Sequence, residues 1–530
     1  MRAAIVVGVV TGVFLVPSFL TWPAAAQNRP ALPAPLDIVV AVQSTLERHP
    51  LLAVQRQRVA ISQAVRQQRS GAFDTLVEGG ATEQRTNTAL TEAERMGALA
   101  AGVPVSALTE NTFGVSGSAQ RLLRSGIALG PSVVVNRATD NFQTLEGVNR
   151  TRVSFDVTVP LLRGKGAAIV AGPETAAGID VDASWLDLGQ QAADLVLDTA
   201  SRYWQYVASG RQLEIVTQSE ARGRTYVEAV TTLVDADRLP RSEINQAQAN
   251  FDSRAAGRFA LEQQVIEARS GLALAMGLPP DEIAGLPSPV DAFPDGLSEA
   301  PPSIAPDRVQ ALIELALARR ADYLAAEKRR AAADVLRQVA GNRVRPQLDL
   351  TLSTGYSSLR AGRSPGAFLG APFTQAAGPD AVVGMRWVRP LANIAAQGER
   401  AEFEAAYQQA LWLRAERARV IATEVVNAVT ALTNGTLRLT RATGAVRGFQ
   451  AALDGEQDKL RLGVGSLTDL LTVEGRLTEA LLDLVAAQQA YALGVVQLRY
   501  ASGTLVDGAV LTPPAREVFF RPLSPAGGRP

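Results

Sequence analysis

Residues 153–172, VSFDVTVPLLRGKGAAIVAG, join an alternating strand pattern, a basic turn and an alanine-rich helix pattern. A strand that leads through such a turn into a helix can begin a phosphate-binding loop, whose pattern is GxxxxGK[ST]. Here Gly164-Lys165 is preceded by no matching glycine and followed by no hydroxyl residue. The stretch therefore predicts a joint and not a nucleotide site: Pro160 ends a strand, Gly164 permits a sharp change of direction, and a long helix begins.

A degenerate copy of this stretch, VVGMRWVRPLANIAAQG, occupies residues 382–398. A displacement of 230 residues brings Pro160 onto Pro390, although the second copy lacks the basic turn. In both copies apolar and polar residues alternate before the proline. Such alternation fits a strand with lipid on one side and water on the other, and it equally fits a half-buried strand of a soluble sheet.

The copied stretch belongs to a longer internal repeat. A displacement of 271 residues aligns the helix pattern that starts at Ile38 with the one that starts at Val309. Each is expected to form about 30 residues of helix, with a break at His49-Pro50 in the first copy. Long helices are then predicted from about 174 to 234 and from about 393 to 462, each followed by a turn and a returning helix. The last helix carries a coiled-coil series every seven residues, at Leu470, Leu477, Leu484, Tyr491 and Leu498, with Leu467, Leu481 and Val495 as partners.

Other segments set the limits of the two repeats. Residues 1–26 have the charged, apolar and small-residue order of a signal peptide. The repeats are assigned to residues 36–277 and 307–505, joined by a Pro-rich linker or small irregular belt at 278–306 and followed by a disordered tail at 506–530. Residues 113–135 predict an extra hairpin with no counterpart in the second half, and its place in the sheet or in an external loop stays open.

Composition argues against several function classes. Acidic and basic residues number 52 each, so no basic field indicates nucleic acid. One histidine and no cysteine predict no transition-metal site, and His49 is best explained by the helix break. No nucleophile, base and oxyanion arrangement predicts an enzyme, and no cofactor is expected.

In this order, and duplicated, the elements resemble the TolC-type outer-membrane efflux protein family (outer membrane factors) over about residues 36–505. The resemblance rests on the helix start at 44–50, the QPLLRG-like joint at 159–164 and the G-x-x-S-x-x-D-x-L turn at 463–471. It implies an α+β membrane protein, a homotrimer in which each chain gives four strands to one 12-stranded β-barrel in the cell outer membrane. A long α-helical coiled-coil tunnel would continue the barrel through the periplasm. Open sheet edges are not tolerated in lipid, so four strands require partner chains.

The resemblance further implies a passive export duct in a Gram-negative type envelope, the channel of a tripartite efflux or type I secretion system. Its partners would be a periplasmic adaptor (membrane fusion) protein, an inner-membrane RND or ABC pump, and outer-membrane lipid. The cargo stays open.

Site residues are also implied by the resemblance. Asp469 matches an acidic position of the periplasmic entrance gate, and Glu243 is its counterpart in the first copy. Thr472 stands where the family has a second acidic residue, and Gly465 replaces the neighbouring basic latch residue of the family. Helix capping is the alternative role for both carboxylates. The adaptor would contact the turns through Leu239, Pro240, Gly463, Val464 and Gly465.

Two other protein classes compete with the channel. A periplasmic adaptor would carry a single helical hairpin inside β-domains, which a duplicated chain does not fit. A non-transporting periplasmic coiled-coil scaffold would need no lipid-facing side on its strands.

Overall fold

The computed structural model describes residues 35–141, 146–237, 240–296, 305–462, 464–506 and 512–523. The expected signal peptide lies outside these ranges.

The first half of the chain combines short helices, four strands and a long helical hairpin. Its elements are α1 (Ile38–Arg48), α2 (Pro50–Ser70), β1 (Thr75–Ala89), α3 (Glu92–Ala100), β2 (Ala107–Leu122), β3 (Ala128–Asp140), β4 (Val148–Pro160), α4 (Ala167–Val170), α5 (Gly172–Asp235), α6 (Ser242–Ala275) and α7 (Pro280–Ile283).

The second half follows a similar order with two strands. Its elements are α8 (Pro306–Arg319), α9 (Ala321–Arg343), β5 (Gln347–Ala361), α10 (Pro365–Leu369), β6 (Ala376–Val388), α11 (Ile394–Arg461), α12 (Leu467–Ala501) and α13 (Glu517–Phe520). The helices α5 and α11 contain 64 and 68 residues and lie within two residues of their predicted limits. At 1.5 Å per residue they are about 95–100 Å long.

The described strands form one antiparallel sheet in the order β1-β2-β3-β4-β5-β6. Four strands per chain, the number that the resemblance implies, is therefore too few. The extra hairpin accounts for the difference, because it forms β2 and β3 and pairs between β1 and β4. Its turn contains Gly126 at φ 96°.

The register gives this sheet two chemically different faces. We call one the apolar face; it carries Val77, Val115, Val133, Phe155, Leu352 and Met385. We call the other the polar face; it carries Thr82, Ser116, Ser132, Asp156, Ser353 and Arg386. On the polar face the hydroxyls of Ser132 and Ser154 lie 2.7 Å apart and link β3 to β4. The two-residue period of a strand thus separates the two kinds of side chain.

The helical segment before β1 is broken into α1 and α2, and the one before β5 is broken into α8 and α9. A break was predicted only in the first. His49 leaves the helical conformation at ψ 125°, and its Nδ1 accepts a hydrogen bond from the Leu51 N–H at 3.2 Å. Arg320 has nearly the same backbone conformation between α8 and α9. Its side chain is only 3% exposed and pairs with Asp322 and Glu424. Because ionic contacts and not a proline hold this second break, the helix pattern did not reveal it.

The largest hydrophobic core lies at the middle of α5 and includes parts of the chain expected to be irregular. Trp204 is fully buried and its ring stacks on Phe293 of the belt that follows α7, at 5.6 Å. Phe520 packs edge-on against the same indole, and Phe519 is fully buried. The prediction of a disordered tail is therefore wrong over residues 512–523, because two aromatic side chains bury enough apolar area to hold the segment.

One described helix, α12, is long and apolar enough to cross a membrane by length and composition, with 44% of its most apolar window buried inside the protein. It packs against α11 and α5. Its apolar character is accounted for by this packing, as the coiled-coil series predicted.

Candidate functional site at the hairpin tips

The long helices form two hairpins, α5–α6 and α11–α12, whose turns we call the tips. The tips lie one long-helix length from the joints where α5 and α11 begin. They contact each other, because Leu467 at the start of α12 packs against the cluster of Val230, Val234 and Ala247. The two hairpins are therefore packed together at this end of the molecule.

The two predicted gate carboxylates both lie in the first turn of a returning helix. Asp469 is exposed at the start of α12, and Glu243 is half-buried at the start of α6. Neither helix has a side-chain hydrogen bond from its N-cap residue. Both carboxylates are thus placed to interact with the positive end of the helix dipole. Glu456 raises the pKa of the Lys459 ammonium by a hydrogen bond and by its charge, and Asp469 contributes across the turn.

The second tip is held by backbone contacts that leave two apolar side chains, Leu462 and Val464, exposed. The N–H groups of Val464 and Gly465 donate to the Lys459 carbonyl at 3.0 and 3.1 Å. A Cβ at Gly465 would lie 2.7 Å from the Leu460 nitrogen, so the turn itself requires glycine. Val464 is 76% exposed. Of the other predicted tip residues, Pro240 is exposed, and Leu239 and Gly463 lie outside the described residues.

A buried ionic cluster near the tips joins the two hairpins and was not predicted. The Glu474 side chain on α12 is fully buried. It pairs with Arg222 of α5 at 2.9 Å and with Arg254 of α6. Ser219 of α5 donates its hydroxyl to the Glu474 carboxylate at 3.1 Å, and Arg254 donates to the Ser219 carbonyl at 3.1 Å. One carboxylate thus ties three helices together.

The surroundings of this cluster are apolar. Leu453, Leu470 and Leu477 form a buried core beside it, and Tyr226 packs against them. Burial raises the pKa of the Tyr226 hydroxyl. Removing one member of a buried, hydrogen-bonded charge network leaves an uncompensated charge, which costs about 3–5 kcal/mol. The cluster therefore fixes how α12 sits on α5 and α6.

The sequence does contain a signal for this cluster. Glu474 falls between Leu467 and Leu481 in the seven-residue partner series of α12, where an apolar residue is expected. Arg258 interrupts the corresponding stripe of α6 in the same way, and it pairs with Glu220 of α5 at 2.7 Å. Charges at core positions of a helical series thus mark both ionic links between these helices.

The predicted joints lie at the opposite end of the long helices. Pro160 is the last residue of β4, and Gly164 has φ 79° with its N–H donating to the Asn342 side chain at 2.8 Å. In the second joint Pro390 follows β6, and Asn393 adopts a left-handed conformation at φ 48°. Asparagine tolerates this conformation better than most residues, so it replaces the glycine of the first joint.

The sequence matches no protein-family model and no curated protein sequence. Solved structures match over most of the chain. The CmeC outer membrane channel of Campylobacter jejuni aligns with TM-score 0.62 and 14% identity, over 89% of this chain and 87% of that one. The outer membrane protein VceC of Vibrio cholerae aligns with TM-score 0.60 and 17% identity, over 88% and 96%. The open state of the MtrE outer membrane channel of Neisseria gonorrhoeae aligns with TM-score 0.58 and 16% identity, over 88% of both chains. The predicted combination of a strand sheet with long helices is therefore confirmed: the chain has the fold of these outer-membrane proteins.

Proposed function

We propose that this chain, with the fold of outer-membrane channels, is the outer-membrane channel of a tripartite efflux or type I secretion system. Three copies would form a passive duct across the outer membrane and the periplasm, opening to an adaptor protein and an RND or ABC pump of the inner membrane. The two similar halves of the chain would have arisen by duplication of one helix, strand and hairpin unit.

The observation that carries the proposal is the exposed apolar face of the sheet. Val383, Met385 and Trp387 of β6 are 71%, 68% and 63% exposed. Exposed apolar side chains of this size form a hydrophobic patch that would be unfavourable in water. In a barrel wall they would face lipid, while the polar face would line a hydrated pore.

The open edges of the sheet support assembly from several chains. In the described chain β1 and β6 each pair on one side only. Unpaired backbone groups are too costly in hydrocarbon, so these strands require partners from other copies. A shared barrel would supply them, and the helices of about 100 Å would form the tunnel.

The tips are proposed as the periplasmic entrance. Repeated threefold, Asp469 and Glu243 would form acidic rings that favour cations. The Glu474 cluster would hold the two hairpins in one fixed arrangement. The adaptor would dock on Pro240, Val464 and Gly465 together with Leu239 and Gly463.

Single-channel recording of the full chain in planar lipid bilayers tests this function. We expect discrete conductance steps with cation preference. Asp469→Asn should lower the cation preference, whereas Asp252→Asn, at an exposed position of α6 nine residues beyond Glu243, should leave it unchanged. A protein that stays in solution without detergent and forms no conducting pore would contradict the proposal and favour a periplasmic scaffold.

A further inference from the structure

The hairpin β2–β3 is an interior part of the sheet. β1 pairs with β2 along its whole length, from Thr75 opposite Arg121 to Ala89 opposite Ala107. β3 pairs with β4 from Ala128 opposite Thr158 to Ala138 opposite Val148. Removing the hairpin from this arrangement would leave β1 without a partner. The hairpin is therefore not attached to the edge of a four-stranded sheet.

The hairpin has the same two faces as the other strands. Val115 of β2 lies opposite Val135 of β3, and Val133 lies opposite Val153 of β4, all on the apolar face. Phe368 and Ala371 cover Val135, whereas Val115 is exposed. The adjacent positions Ser116 and Ser132 are on the polar face. A hairpin that projected into water outside the membrane would have no reason to continue this separation across four strands.

From this pairing and this separation of faces we propose that the hairpin is part of the membrane wall. Each chain would then contribute six strands, and three copies would close an eighteen-stranded barrel instead of a twelve-stranded one. The inference rests on the proposed channel function. The partner at each open edge is a second copy of this chain.

Strand direction allows this closure. The strands alternate in direction along the sheet, so β1 and β6 run antiparallel to each other. The β6 edge of one copy can therefore pair antiparallel with the β1 edge of the next. An even number of strands per chain keeps the whole ring antiparallel, and eighteen is within the range of known outer-membrane barrels.

The width of the helices beneath the sheet fits six strands. The helices that meet the strands pack in the row α2, α5, α9 and α11, in the same order as β1, β4, β5 and β6. Four helices spaced 8–10 Å apart span about 32–40 Å. Six strands about 4.8 Å apart, tilted by about 40°, span about 38 Å, whereas four span about 25 Å. Four strands would match the helices only at a tilt above about 50°.

Single cysteines test the placement of the hairpin, because the native chain has none. On β2, V115C would place a label on the apolar face and S116C on the polar face. On β4, F155C and D156C form the matched control pair, and all four positions are exposed. Each variant would be labelled with an environment-sensitive fluorophore and reconstituted into liposomes, with brominated lipid and aqueous iodide as alternative quenchers.

We expect both pairs to alternate. Brominated lipid should reduce emission at 115 and 155 by similar fractions, and iodide should reduce it at 116 and 156. If the β4 pair alternates while 115 and 116 are both quenched by iodide, the hairpin lies outside the wall and the inference is overturned, although the channel remains. If the β4 pair does not alternate either, the proposed function itself fails. Counting strands in an electron cryomicroscopy map of the trimer decides independently, since twelve strands would contradict the inference.

Discussion

The sheet and the hairpin tips place polar and apolar groups in opposite ways. On the sheet, large apolar side chains are outside: Val383 and Met385 are about 70% exposed. Near the tips a charged side chain is inside, since Glu474 is fully buried between Arg222 and Arg254. Large exposed apolar side chains would be costly near the tips, and a buried charge would be costly in the sheet.

The difference indicates two separate physical tasks. Phe368 and Ala371 cover Val135 on the apolar face, but exposed side chains such as Val383 and Met385 require an apolar environment that the chain itself does not supply. Lipid would provide it. The hairpins carry their own compensation for a buried charge and gain a defined packing of three helices from it. A buried ionic network of this kind is a weak source of stability but a strong constraint on arrangement. Such a network is suited to a contact between two helical hairpins that must keep one arrangement until the hairpins are moved apart.

The largest effect is expected from breaking the buried cluster. Glu474→Ala leaves Arg222 and Arg254, whose side chains are 32% and 14% exposed, without their shared carboxylate. We expect the free energy of unfolding to fall by about 3–5 kcal/mol. Glu479→Ala, at an exposed position of the same helix, should change it by less than about 0.5 kcal/mol. Denaturant unfolding in detergent micelles measures both. A loss below about 1 kcal/mol for Glu474→Ala would show that the cluster is not a structural constraint.

A charge introduced into the sheet tests the other region. The adjacent positions Val382 and Val383 allow the polar face and the apolar face to be compared. Val383 lies on the apolar face opposite Leu352, and Val382 lies on the polar face opposite Ser353. Val383→Arg should cost about 2–4 kcal/mol if the side chain faces the middle of the bilayer, and Val382→Arg should cost little. Unfolding in lipid vesicles measures the difference. Equal effects at the two positions would mean that the faces do not separate lipid from water.

The smallest effect on stability is expected from a substitution of Val464 at the second tip. Val464 is 76% exposed, and with Leu462, which is 78% exposed, it forms a small apolar surface at this tip. Val464→Asp should leave the free energy of unfolding within about 0.5 kcal/mol of the wild type and should weaken copurification with the adaptor. Val426→Asp, at a 45% exposed position of α11, is the control. Undiminished copurification would remove Val464 from the docking surface. Gly465 is unsuitable for this test, because any side chain there disturbs the turn itself.

Helix periodicity in the sequence predicted the fold well. The structural roles of single residues whose partners lie far away in sequence were not predicted. The limits of α5 and α11 followed from helix periodicity and the flanking prolines and glycines, which act locally. The break at Arg320 did not, because its ion pair with Glu424 of α11 forms only once α9 and α11 are packed. The Glu474 cluster was missed for a similar reason: its arginines are about 220 to 252 residues away in sequence. Phe519 and Phe520 were hidden by a Pro- and Gly-rich context that favours irregular structure.

The mass of the detergent-extracted mature protein tests the central claim most directly. Light scattering corrected for bound detergent separates the protein mass of the particle from that of the micelle. The proposed channel predicts three copies of the chain in a particle that requires detergent to stay in solution. A monomer that is soluble without detergent would contradict the shared barrel, because a single sheet with two open edges cannot span a bilayer.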